Sequence, residues 1–101
     1  MVFIHDQKET ITASGGTAND TLLIQHGLMN QVIISPATGT TTYDVAITNQ
    51  RGVVVYDLDD ITGDLLDSDV GIAMSQNATL TISNASVDEN FVYYVSLLEK
   101  L

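Results

Sequence analysis

Tyr43-Asp44-Val45-Ala46-Ile47-Thr48-Asn49 is followed, after Gln50-Arg51, by Gly52-Val53-Val54-Val55-Tyr56. In the first run Tyr43, Val45 and Ile47 occupy every second position, and the residues between are smaller or polar. Successive side chains of an extended strand point to opposite faces, so this alternation sends one set into a core and the other towards water. Two such runs joined by Asn49-Gln50-Arg51-Gly52 predict a hairpin, with Gly52 supplying a positive φ. The pattern recurs in Ala78-Thr79-Leu80-Thr81-Ile82-Ser83 and in Phe91-Val92-Tyr93-Tyr94-Val95-Ser96-Leu97-Leu98. The apolar phase of these runs predicts Val45, Ile47, Val54, Leu80, Ile82 and Val95 as core residues.

Working outward, further strands are expected over Thr21 to Gln25, Asn30 to Ser35 and Val70 to Met74. Ser14-Gly15-Gly16-Thr17 reads as a turn, and Pro36-Ala37-Thr38-Gly39-Thr40 as a loop holding the only proline. Residues 1–14 read as an extended arm or an edge strand. Asp57 to Asp69 is ambiguous. Leu58, Ile61, Leu65 and Leu66 have helical spacing, but Gly63 and the crowded aspartates oppose a helix, so a loop with a short strand at Asp64 to Leu66 is expected. The whole amounts to about eight strands, each with its turn taking roughly 12 residues, the spacing of an all-β antiparallel sandwich of jelly-roll type. At 101 residues the chain is expected to form one such domain.

Composition narrows the function. The net charge is −10, from 13 acids against three bases, and Lys8, Arg51 and Lys100 lie far apart in sequence. No basic patch is available to neutralise phosphates, so nucleic acid and anionic membranes are not expected partners. There are no cysteines, which removes thiolate chemistry and disulfides. The beginning of the chain has neither a basic nor an apolar signal-like segment, and no apolar run approaches the ~18 residues that span a bilayer. Sequons at Asn19, Asn77 and Asn84 are read as by-products of a chain rich in Asn, Thr and Ser.

No motif carries a reaction. Six aspartates lie between Asp57 and Asp69, but an EF-hand pattern fails, since Ile61 and Thr62 stand where an acid or amide and a glycine are required. A solvated acidic segment is the simpler reading, and no metal or other cofactor is expected. His5 and His26 have no metal-ligand spacing, and no Gly-x-Ser-x-Gly elbow accompanies them. Tyr43, Tyr56, Tyr93 and Tyr94 would serve a sugar platform, but without tryptophan they read as rings packed inside with hydroxyls at the rim. Gly15-Gly16 lacks the following helix that would make it an anion cradle. The final strand differs from the others in being apolar on both faces: Phe91, Tyr93, Val95 and Leu97 on one, Val92, Tyr94 and Leu98 on the other. An antiparallel sandwich normally wets its outer face, so the N-terminal segment or another subunit is expected to cover this one. The candidate contact residues are Phe3, Ile4, Phe91, Tyr93, Tyr94, Leu97 and Leu98.

The succession Tyr43-Asp-Val-x-Ile-Thr-Asn49, Gly52-Val-Val-Val-Tyr56, Thr62-Gly63-Asp64-Leu65, Ala78-Thr-Leu-Thr-Ile-Ser-Asn-Ala-Ser86, Asp88-Glu89 and Phe91-Val-x-Tyr-Val95 resembles the small decoration (cement) proteins of tailed bacteriophage capsids. The resemblance covers about the last 60 residues and brings no catalytic positions with it. It implies a non-enzymatic virion protein made in the host cytoplasm, a homotrimer laid on the outer capsid surface and contacting the major capsid protein. The alternative is a tail, fibre or baseplate component with a carbohydrate-binding role.

Overall fold

The computed structural model describes residues 2–23, 26–75 and 77–100, with side chains for 6–23, 27–74 and 77–98. Nine strands are present: β1 (Val2–Ala13), β2 (Ala18–Leu22), β3 (His26–Pro36), β4 (Thr42–Thr48), β5 (Val54–Thr62), β6 (Leu65–Asp67), β7 (Ile72–Ser75), β8 (Ala78–Ser83) and β9 (Glu89–Lys100). They form two antiparallel sheets, β1-β9-β3-β6 with β7 also on β3, and β2-β8-β4-β5. The described residues contain no helix.

The pairings are nested. β4 pairs with β5, β3 with β6 and β7, β2 with β8, and β1 with β9. One long hairpin is thus folded over into two layers, which is the jelly-roll arrangement. The nine strands reconcile with the expected eight, because β6 and β7 dock in succession on the same edge of β3, opposite Val32–Ile34 and His26–Met29. The break between them is tied by Val70 N–H donating to Asn30 C=O at 3.2 Å.

The central hairpin forms where its sequence places it. The Asn49 side-chain oxygen accepts from Arg51 and Val53 N–H at 2.9 and 3.0 Å, and Gly52 adopts φ 83°. Asn49 thereby satisfies the turn's backbone donors, and Gly52 takes the left-handed conformation at no steric cost. Beyond the turn one expectation fails. Ile47 pairs with Tyr56 but Thr48 pairs with Val54, so Val55 is an extra residue in a bulge. Val54 is left beside the turn, 53 % exposed and outside the core. The other five expected core residues are buried.

The acidic segment is also corrected. β5 runs on through Asp57, Asp59 and Asp60 to Thr62, and the short strand is Leu65–Asp67. Pairing to β4 decides this, since Leu58 and Ile61 lie opposite Val45 and Tyr43 and pack against the core. Pro36 closes β3, buried opposite Phe91, rather than standing in the following loop. Of the strand expected over Thr21 to Gln25, the structure has Ala18–Leu22, and Ile24 and Gln25 lie outside the described residues.

Between the sheets pack Met29, Val32 and Ile34 of β3, Tyr43, Val45 and Ile47 of β4, Leu80 and Ile82 of β8, and Phe91, Tyr93, Val95 and Leu97 of β9. Tyr43 meets Phe91 edge-on across the layers, with centroids 5.0 Å apart at 68°. Such aromatic pairs contribute about 0.5–1.5 kcal/mol beyond the area they bury.

Candidate docking surface

The outward residues of β9 are Val92, Tyr94, Ser96 and Leu98. Opposite them on β3 stand Ser35, Ile33, Gln31 and Leu28, and on β1 the positions of Thr10, Lys8, Asp6 and Ile4. Leu66 of β6 extends the row from Ile33, and Ala73 of β7 from Leu28. The outer face of this sheet therefore carries an apolar row, Tyr94, Ile33 and Leu66, beside a polar row of Asp6, Ser96 and Gln31. Leu66 is 68 % exposed, Leu28 43 % and Val92 37 %, while Ile33, Tyr94 and Leu98 are half-buried. Asp6 and Lys8 are the only charged side chains described on it. A depression of about 360 Å³ lies in its middle, lined by Lys8, Ile33, Ser35, Val92, Tyr93 and Tyr94.

The expected contact residues divide. Phe91 and Tyr93 are 0 % exposed and Leu97 2 %, so they belong to the interior and their side chains present no outer surface. Their burial comes from the facing sheet. Tyr94 and Leu98 do lie on the outer face. Phe3 and Ile4 fall on β1 at register positions opposite Glu99 and Leu98, with their side chains outside the described residues. Sequence reasoning overlooked Leu28, Ile33 and Leu66. Ile33 was legible from alternation with Val32 and Ile34. Leu28 was not, because a bulge between Met29 and Gln31 changes the phase along β3.

Three tyrosine hydroxyls finish the edges of the core. Tyr93, on β9, donates to Asp20 of β2 at 2.6 Å and accepts from the Gln7 amide of β1 at 2.6 Å. Tyr56, on β5, donates to Asp67 of β6 at 2.9 Å. Each links one sheet to the other, on opposite sides of the sandwich. Tyr43 donates to Gly63 C=O at 2.8 Å. Burial, with Asp64 nearby, raises the Tyr43 hydroxyl to about 12. Burial and the bonded carboxylates Asp67 and Asp20 push Tyr56 and Tyr93 higher still. The rings are inside, so among the described tyrosines only Tyr94 offers part of its ring to solvent. Its hydroxyl is raised by a hydrogen bond to Asp6.

The other sheet's outer face is polar. It carries Asn19 and Thr21 of β2, Thr79, Thr81 and Ser83 of β8, Asp44, Ala46 and Thr48 of β4, and Asp57 and Asp59 of β5. Asp44 accepts from Asp60 N–H at 2.8 Å and from the Asn84 amide, and these bonds lower its pKa. Asp59 is raised instead, because Asp57, Asp44 and Asp60 crowd it with like charge. Among the described residues no three His, Asp or Glu side chains gather in a metal-binding arrangement. The side chains of His5 and His26 lie outside the described residues.

The sequence matches no protein-family model and no curated protein. Among solved structures it is similar in outline to the Drosophila NLP core, whose crystal structure addresses pentamer formation and histone binding, at 12 % identity and TM-score 0.48, over 95 % of this chain and 99 % of that one. It is also similar to structures of infectious bursal disease virus. The Gt strain gives 11 % identity and TM-score 0.43 over 97 % of this chain and 32 % of the viral one, and the Gx strain 15 % and 0.40 over 96 % and 28 %. This chain thus spans about a third of those viral chains. At these scores the likenesses are ones of general shape, and no family is assigned from them.

Proposed function

We propose that this chain is a non-enzymatic structural protein of a virion, docking on the outer surface of a bacteriophage head and reinforcing it. The observation that carries the reading is the exposed Leu66, Leu28 and Val92 on an outer face of the β1-β9-β3-β6 sheet whose described charges, Asp6 and Lys8, cancel, on a chain of net charge −10. Contiguous exposed apolar surface on a small domain marks a contact with another macromolecule. The acidic opposite face keeps the exposed side soluble and repels DNA. The resemblance of the Tyr43 to Val95 stretch to capsid decoration proteins supports the same role, with the major capsid protein as the partner. Many copies, each of modest affinity and associated with one another, would hold neighbouring capsomers by avidity.

The test is made on particles. Purified heads should carry the protein in high copy number, and heads lacking it should release DNA at lower temperature. Added back, the wild-type chain should restore that temperature, whereas Leu66→Asp and Val92→Asp chains should not bind. A few copies confined to the tail tip would sink the capsid reading and favour the tail-adhesin role.

A further inference from the structure

The two sheets leave four free edges, and three of them are blocked. The β2 edge is occupied by Gln7, whose side-chain oxygen accepts from Leu23 N–H at 2.6 Å and whose amide donates to Thr21 C=O at 3.1 Å. That amide takes the place of a neighbouring strand. The β5 edge carries Asp57, Asp59 and Asp60, with Asp60 in a positive-φ kink at 56°. Charge and irregular backbone are established protections of an edge. The third edge is split between β6 and β7, of three and four residues. β1 also carries charge, at Asp6, Lys8 and Glu9, but of both signs and on a regular backbone. It is 12 residues long, contains no proline or glycine, and pairs with β9 from Val2 to Ala13 without a register shift. A long regular edge presents unpaired backbone donors and acceptors to any extended partner.

We infer that β1 pairs antiparallel with β1 of a second copy, about a two-fold axis through Gln7, so that Asp6 of each chain stands opposite Lys8 of the other. The β1 sequence reads His5-Asp6-Gln7-Lys8-Glu9-Thr10-Ile11. Centred on Gln7, antiparallel pairing also sets the positions of His5 opposite Glu9, Ile4 opposite Thr10 and Phe3 opposite Ile11. Centring on Asp6 or on Lys8 would place like charges face to face, which destabilises a cross-strand pair. A shift by one residue would set outward positions against inward ones. Asp6 and Lys8 are both exposed, and both lie on the outer side of the sheet. An axis perpendicular to the sheet makes the contact isologous, each chain contributing both charges. It also joins the two outer faces into one platform. This pairing replaces the three-fold association implied by the decoration-protein resemblance, and it stands independently of the virion reading.

The test is sedimentation equilibrium of the full chain from micromolar to hundreds of micromolar. A monomer–dimer equilibrium is expected. Asp6→Lys and Lys8→Asp, taken singly, should each keep a wild-type circular dichroism spectrum and weaken dimerisation about tenfold or more. Mixed in equal amounts, the two variants should recover wild-type affinity, because each supplies the charge the other needs. A monomer at all concentrations, a trimer, a dimer insensitive to both reversals, or a mixture that fails to recover would each overturn the inference.

Discussion

On the outer face of the β1-β9-β3-β6 sheet, Leu66, Leu28 and Val92 stand in solvent beside the half-buried Ile33, Tyr94 and Leu98. Across the core, the outer face of the β2-β8-β4-β5 sheet presents Thr21, Thr79, Thr81 and Ser83, bounded by Asp44, Asp57 and Asp59. The two sheets share one interior, so folding alone gives no reason for their exteriors to differ. Threonine suits a solvated strand, because its branched side chain packs on the pleat while its hydroxyl stays wet. Leucine and valine in the same setting leave apolar surface in water. On the proposed reading, the difference reflects what each face meets after folding.

The largest expected effect concerns the shared interior rather than either face. Ile82→Ala, a truncation at a fully buried site, should cost roughly 2–5 kcal/mol in denaturant melts. Val54→Ala, on an exposed residue of the central hairpin, should stay within about 0.5 kcal/mol. A loss below about 1 kcal/mol for Ile82 would place it outside the packed layer.

The tyrosine links between the sheets come next. Tyr93→Phe removes the hydroxyl shared by Asp20 and Gln7 and should cost about 1–3 kcal/mol. The alkaline limb of stability has a fixed sign. Tyrosine in the unfolded chain ionises near 10, and Tyr43, Tyr56 and Tyr93 are all raised above that in the folded protein. The unfolded state therefore loses protons first, and stability present below pH 10 falls as pH rises above it. Unfolding followed by circular dichroism should steepen there, and Tyr56→Phe/Tyr93→Phe should flatten the slope. An unchanged slope would show that neither hydroxyl is held by the fold.

A smaller effect separates the two faces. Leu66→Asp should change stability by no more than about 0.5 kcal/mol, since the side chain is already in water. It should nevertheless abolish particle binding, whereas Thr81→Asp on the other face should leave binding intact. Equal loss from both would erase the functional distinction between them. Asp59→Asn should raise the melting temperature slightly by relieving crowding from Asp57, Asp44 and Asp60. That gain should fade in high salt, because exposed charges are screened. The smallest change is expected from millimolar calcium, which should leave the melting temperature where it was. A clear rise would turn the acidic face into a ligand site.

Much of this architecture was readable in advance. Tyr43, Val45, Ile47, Leu80, Ile82 and Val95 followed strict alternation into the core. Strand alternation is local, so the phase of a regular run can be read without its partner. The failures lie where partners intervene. Val54 and Leu28 were displaced by bulges at Val55 and Asn30, which exist only as mismatches between two paired strands. The aspartates of β5 disguised a strand held to β4 through Leu58 and Ile61. On β9, the two-sided apolar pattern points to Tyr94 and Leu98 as outer residues but equally to Phe91, Tyr93 and Leu97, which fill the interior. A strand apolar on both sides does not say which side is in.

The amino-acid sequence by itself determined the strand periodicity, the turn at Asn49 and Gly52 and the strong negative charge, because each depends on neighbouring residues or on composition alone. Only the tertiary structure decided which side of β9 faces Tyr43, that Ile33 and Leu66 join Val92 and Tyr94 in one surface, and that Gln7 closes the β2 edge while β1 stays open. Those relations link residues far apart in the chain. They arise when β1 and β9, from opposite ends of the sequence, become neighbours in one sheet.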